Sequence, residues 1–372
     1  MTNHMEIPHS PADLNSSWLT RALQYNHAIG TGTVSDFEYS LLEAGQGFYG
    51  QIVQLKLTYD PPDAGGPRTM IAKFSSGNPE MRQRPNTKAS YEREVRFYQE
   101  VAQESPLPVP SCYYADVDMK DGWHILLLED LAPASNGSRT RGCSRNEAWI
   151  AIQHIARFHA HWWENPMLDN FKWLAGTEIP GDAEPVHFRE QLWPAFLRKL
   201  SKPLPDEVME IGELLGEYKG KIARHLFTKK PETLIHADYH LGNMMFGTAG
   251  EEAFFVVDWQ LVKRGRGIWD VAYFLSQNSV PEDRQAIEMN LLHDYLRILN
   301  EYGVRNYSFD DAMNDYRISL LHRFGNLIST IAAMPFTEEQ IMMHVDVLLP
   351  RTISALLDHD CRSLLDSGLQ MY

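Results

Sequence analysis

The sequence predicts an α+β fold in two lobes, an antiparallel β-sheet with one main helix followed by a mainly helical remainder. Three observations predict it. At 372 residues the chain exceeds the roughly 250–300 residues beyond which single cores tend to split. Residues 51–59 and 69–74 carry the two-residue period of strands, and from Ser144 onward apolar residues recur at helical spacing.

Taken in order, Pro11 to Leu23 reads as a short amphipathic helix with Leu14, Trp18, Leu19 and Ala22 on one face, there for packing. Between Gln51 and Tyr59, Val53, Leu55, Leu57 and Tyr59 alternate with Gln54, Lys56 and Thr58, as in a half-buried strand. The turn residues from Pro61 to Pro67 then return the chain into a second strand, Thr69 to Phe74, making a hairpin. A helix from about Ala89 to Gln103 shows Tyr91, Val95, Tyr98 and Val101 on one side. After the proline-rich connector Pro106 to Pro110, the run Trp123 to Leu128 is a buried strand ending at Glu129-Asp130-Leu131.

Beyond Pro133 helices dominate. Ser144 and Glu147 form a capping box, followed by an apolar stripe through Ala148, Ile152, Ile155, Ala156, His159 and Trp163. Further helical stretches fall near 205–227, 281–302, 309–332 and 338–365, with short strands only around Thr233 and Phe254. The change of character lies near residues 131–140.

Composition narrows the function. With 44% hydrophobic and 22% charged residues and no low-complexity run, the chain is globular. The formal charge of −15 argues against nucleic acid and anionic membranes, which need clustered Lys and Arg, although it could attract a cationic substrate. Cys112, Cys143 and Cys361 are too few and too scattered for a disulfide framework or structural zinc. No signal peptide and no membrane-length apolar stretch stands out, so the expectation is a soluble cytoplasmic protein.

Four segments carry chemistry. Gly45-Gln-Gly47-Phe-Tyr-Gly50 precedes a strand rather than a helix, which disfavours a dinucleotide fold. A glycine-rich turn between antiparallel strands instead lets backbone N–H groups close over phosphate oxygens. Lys73 stands alone inside the apolar strand Met70 to Phe74, where an ammonium needs an anionic partner. Glu92 and Glu94 on the following helix both qualify, leaving the lysine able to reach triphosphate oxygens as well.

The most specific segment is His236-Ala-Asp238-Tyr-His240-Leu-Gly-Asn243, followed by Asp258-Trp-Gln260 at the end of an apolar strand. Phosphoryl transfer needs a carboxylate to orient and deprotonate a hydroxyl, here Asp238, and oxygen ligands for magnesium, here Asn243 and Asp258. His236 would brace the loop. A competing reading lets His236, Asp238 and His240 share one side of a strand and bind zinc in a metallohydrolase. The pairs His293-Asp294 and His359-Asp360 lack the further ligands of a metal-dependent phosphohydrolase. Asp270 opens an apolar helix and is either a helix-terminal charge or a brace for the catalytic loop.

With these residues assembled, the chain resembles the aminoglycoside and choline phosphotransferase superfamily, most closely its ecdysteroid-kinase-like branch. The resemblance runs through Asp13 to Leu19, Gly45 to Gly50, Lys73, Glu94 with Phe97-Tyr98, Leu127 to Leu131, His236-Ala-Asp238 with Asn243, Asp258-Trp-Gln260, and Asp270 with Tyr273-Phe274-Leu275. Its spacing selects Glu94 as the partner of Lys73. It implies the protein-kinase-like two-lobed fold, with residues 1–131 as a nucleotide-binding lobe and 132–372 as the lobe of the catalytic loop and substrate helices. It further implies ATP and Mg2+ as cofactors, adenine held through the backbone near Glu129 and Leu131, and phosphate transfer to a hydroxyl of a small molecule. Ala237 stands where many relatives carry glycine, and Asp258-Trp-Gln replaces the Asp-Phe-Gly of protein kinases. Neither change removes a functional group, while a catalytically silent nucleotide-binding scaffold is the non-enzyme alternative. The acceptor would meet the segment from about Glu164 to Leu200 and the helices after 281, where Trp162, Trp163, Trp173 and Trp193 could line a pocket or pack in the core.

Overall fold

In the computed structural model, the described residues are 5–42, 50–174, 184–247 and 254–369. They divide into two compact units, residues 1–135 with 255–262, and residues 136–254 with 263–372.

The first unit is built on an antiparallel five-stranded sheet. Helix α1 (Ser16–Tyr25), N-capped by the Asn15 side chain, precedes strands β1 (Thr33–Leu41), β2 (Gly50–Asp60) and β3 (Thr69–Ser75). Helix α2 (Pro85–Glu100) and strands β4 (Cys112–Asp118) and β5 (Trp123–Glu129) follow, and the sheet order is β1-β2-β3-β5-β4. The alternation read along β2 is the observed one: Val53, Leu55, Leu57 and Tyr59 turn to one face, where they meet Trp18, Leu19 and Leu23 of α1 with Met70, Ala72 and Phe74 of β3. Lys73, between Ala72 and Phe74, therefore points to the opposite face.

The sequence reading did not find β1 and β4, and both are edge strands. In β1 only Val34 is buried, so Ser, Asp and Glu fill positions that an inner strand would give to apolar residues. β4 is half-exposed along most of its length. Helix α2 starts earlier than read, because Pro85 occupies the first turn, where a missing N–H is harmless.

The second unit is helical. Helix α3 (Arg145–Trp162) begins at the Ser144–Glu147 capping box, with both reciprocal bonds formed. Helices α4 (Asp206–Thr228), α5 (Ile268–Asn278), α6 (Pro281–Glu301) and α7 (Phe309–Ala333) follow. α3 packs against α6, and α7 against α4 and α5. Two short antiparallel strands, Thr233–Ile235 and Lys263–Gly265, frame the start of the loop after Ile235. The stretch read as helical over 338–365 is broken into Glu338–Ile341, a wider π turn over Met342–Leu348, and helices Leu349–Asp358 and Arg362–Asp366, with Pro350 opening the third piece. Among the described residues no helix is long and apolar enough to cross a membrane.

Two buried histidines give the fold a pH signature. His124 stacks on Tyr91 at 4.1 Å and its Nδ1 has no partner among the described residues; burial, then the charge of Lys73, pushes its pKa down to about 3. His154 is pushed down to about 4 by burial and Arg157. Both stay neutral in the fold, whereas unfolded histidines take up a proton near pH 6.5. Acidification below about pH 6.5 therefore favours the unfolded chain, by about 1.4 kcal/mol per pH unit for each such histidine. The melting temperature should fall between pH 6.5 and 5, and His124→Phe, which keeps the stacking, should fall less steeply. Equal slopes in a melting series would show that His124 contributes nothing.

Candidate active site

In the first unit, Lys73 meets the anionic partner its position demands. Its Nζ donates to Glu94 Oε1 at 2.6 Å and to Asp258 Oδ1 at 3.3 Å. Burial works to lower the lysine pKa, but the charges of Asp258 and Glu94 outweigh it and hold the ammonium protonated, well above the ordinary value. Glu94 is fully buried on α2, whereas Glu92 on the same helix is half-exposed.

The same helix fixes the Asp258 segment. Trp259 is completely buried and stacks on Phe97 with ring centroids 3.7 Å apart, and its backbone N–H bonds to Glu94. That contact explains why a tryptophan serves after Asp258. Asp258 itself lies at φ 70°, a left-handed conformation that non-glycine residues adopt sparingly and that clusters at functional sites. Its Oδ1 is occupied by Lys73 and the Gln260 amide, and no hydrogen bond to Oδ2 is formed among the described residues.

The remaining nucleotide-site candidates fall as follows. Gly45 and Gly47 lie outside the described residues. Gly50 begins β2, where a Cβ would come within 1.9 Å of the Phe74 carbonyl oxygen, so no side chain fits. The Glu129 N–H donates to the Ser111 carbonyl and its carboxylate accepts from Ser111 Oγ, while the Leu131 carbonyl accepts from the Ala134 N–H.

In the second unit, Asp238 is held from several sides and left partly open. Oδ1 accepts from Tyr273 Oη at 3.0 Å, and Oδ2 accepts from Asn243 Nδ2 at 3.2 Å and lies 3.4 Å from His240 Nε2. Its side chain keeps 28% of its surface exposed, enough for a hydroxyl to reach it. Burial works to raise its pKa, but His240, then His236 and Arg139, hold the carboxyl far below the ordinary range. Asn243 Nδ2 also donates to the Asp238 carbonyl, which commits the amide nitrogen to the loop and turns the side-chain oxygen away from it.

His236 accepts the Asp238 N–H on Nδ1 at 3.2 Å and is fully buried, so it braces the loop backbone. The zinc reading of His236, Asp238 and His240 finds no geometric support: among the described residues no three His, Cys, Asp or Glu side chains converge as metal ligands.

Beneath the loop lies Asp270, wholly buried. It accepts from the His236 N–H at 2.7 Å, the Ala237 N–H at 3.0 Å and His159 Nε2 at 3.2 Å, while His159 Nδ1 pairs with Tyr295 Oη. Of the two roles open to Asp270, bracing the loop is the one its contacts describe. Ala237 beside those amides has φ 65°, a left-handed conformation that favours glycine. Sequence reasoning missed the roles of Tyr273 and His159. The signal for Tyr273 was its position three residues after Asp270, on the same helix face.

A family model for the ecdysteroid kinase-like family matches residues 44–305. Among solved structures, a Ralstonia eutropha JMP134 protein assigned to the aminoglycoside phosphotransferases gives a TM-score of 0.54 at 14% identity, over 93% of this chain and 99% of that one. The GDP complex of aminoglycoside 2'-phosphotransferase-IIIa gives 0.52 at 10% identity, over 92% and 100% of the two chains. A microcompartment-associated aminopropanol kinase gives 0.50 at 14% identity, over 96% and 99%. At these identities the likeness is one of fold. A search of curated proteins found no match.

Proposed function

Because the chain belongs to the ecdysteroid kinase-like family and has a kinase-like fold, we propose that it transfers the γ-phosphate of ATP to a hydroxyl of a small molecule. The observation that carries this reading is the pairing of a half-buried Lys73 with both Glu94 and Asp258, in a chain whose other unit presents an open, deprotonated Asp238 beside Asn243.

The residues fit the group they would hold. Lys73 has a third donor for a triphosphate oxygen, and Asp258 Oδ2 and Asn243 Oδ1 are hard oxygen ligands of the kind magnesium takes. The glycines 45, 47 and 50 would cover the phosphates, and the backbone near Glu129 and Leu131 would receive the adenine. Bound Mg-ATP supplies the phosphoryl group and neutralises the charge on its oxygens.

Asp238 orients the acceptor hydroxyl and receives its proton as the acceptor oxygen bonds to phosphorus and the bridge to ADP breaks. Its depressed pKa makes it a weak base, so positioning would contribute more than early proton abstraction. His236 and Asp270 keep the loop in the conformation that presents it.

Asp258→Ala tests the reading at the nucleotide. It should weaken magnesium-dependent ATP binding by about tenfold or more, the lower end of what loss of a ligand's support produces, as read by calorimetry with and without Mg2+. Unchanged magnesium dependence would remove Asp258 from the site. A metabolite panel incubated with ATP, followed by mass spectrometry for a phosphate adduct, would identify acceptors. Mg-ATP binding without any adduct would favour the silent scaffold.

A further inference from the structure

Around Asp238 the second unit gathers cations, in a chain whose formal charge is −15. The Arg323 guanidinium lies 3.4 Å from the centroid of the Tyr273 ring, and that tyrosine's hydroxyl is bonded to Asp238. It also lies 5.3 Å from the centroid of Trp269. It donates to Gln277 Oε1 at 3.3 Å, the Tyr273 hydroxyl and the charge of Asp238 also act on it, and among the described residues its Nε is buried without a partner. Arg139 approaches the same loop: its Cδ lies 3.7 Å from where a Cβ would stand at Gly242, and among the described residues its Nε is likewise buried without a partner.

Among the described residues, no carboxylate lies within ion-pairing distance of Arg139 or Arg323. The charge of Asp238 acts on both from beyond ion-pairing distance, while its oxygens are bonded to Tyr273 and Asn243 and lie beside His240. Two buried, unmatched guanidinium nitrogens are costly to maintain in a folded protein, and the planar fork of arginine suits a carboxylate or phosphate. We propose that Arg139 and Arg323 bind an oxyanion of the acceptor, so that the molecule phosphorylated is a hydroxylated acid rather than an amino alcohol or a neutral polyol. The inference rests on the phosphotransferase reading and deepens it. The burial of Arg323, which lowers its pKa, acts in the same direction, because an incoming anion restores what desolvation removes.

The test uses the full chain with a panel matched in size and hydroxyl pattern: hydroxy carboxylates, their methyl amides, hydroxy phosphates and amino alcohols. Thermal shift reads binding, and mass spectrometry with ATP reads transfer. Acids should raise the melting temperature and be phosphorylated at least ten times more efficiently than their amides. Arg323→Met and Arg139→Met should each erase that preference while leaving the Mg-ATP shift as in wild type. Carboxylate acids alone, or phosphate acids alone, would name the anion. Preference for amino alcohols, equal use of acid and amide, no stabilisation by any acid, or a preference unchanged in both variants would overturn the proposal with the kinase reading intact. A loss of Mg-ATP affinity in the arginine variants, with acid preference retained, would overturn it by moving the guanidiniums to the nucleotide. Absence of any Mg-ATP shift in wild type, with no adduct on any acceptor, would instead defeat the phosphotransferase reading and this inference with it.

Discussion

Asp238→Asn is expected to bind Mg-ATP as tightly as wild type and to turn over about 100- to 10,000-fold more slowly, the range that a positioned acid–base group supplies. The substitution keeps the size and planarity of the side chain, and its amide oxygen can still accept from Tyr273 Oη. What it removes is the negative charge beside His240 and, under the proposed function, the carboxylate that would take the acceptor's proton. Steady-state phosphate transfer, with calorimetric ATP binding on the same preparation, separates the two effects. Transfer at the wild-type rate would show that Asp238 does not serve the hydroxyl.

The second large effect belongs to a residue buried beneath the loop. Asp270→Ala leaves the N–H groups of His236 and Ala237 and the Nε2 of His159 without their acceptor in a fully buried place. Breaking such a network costs about 3–5 kcal/mol, and with it goes the force holding Ala237 at its left-handed φ of 65°. The variant should melt well below wild type and, where still folded, show a depressed kcat with little change in the affinity for Mg-ATP. A variant that melts and turns over like wild type would mean that the loop holds its shape without Asp270.

These two residues show what a sequence makes legible. The spacing from His236 through Asp238 to Asn243 is local, so the elements of the loop could be read directly, and Lys73 announced itself as a charge in an apolar strand. The inner strands β2, β3 and β5 were readable because each buries several apolar residues, at alternate positions in β2 and β3 and in a run from Ile125 to Leu128 in β5. The edges β1 and β4 were not, since a strand that pairs on one side and faces solvent has little need of apolar residues. His159 lies 111 positions from Asp270 and its ring fits an ordinary apolar stripe, so only the fold shows the two to be partners. Arg323 was equally silent: one of two arginines in a long helix, it gives no sign in the sequence that it rests on the ring of the tyrosine bonded to Asp238.

Helix α2 carries Glu94 and Phe97 one turn apart, and between them they grip an ammonium from the sheet and the indole that follows Asp258. A tilt of that single rod would loosen both at once, so under the proposed function the affinities for triphosphate and for divalent ion would be geared together. By thermodynamic reciprocity each ligand would then tighten the other, and anything docking on the outer side of the rod would gain a handle on both.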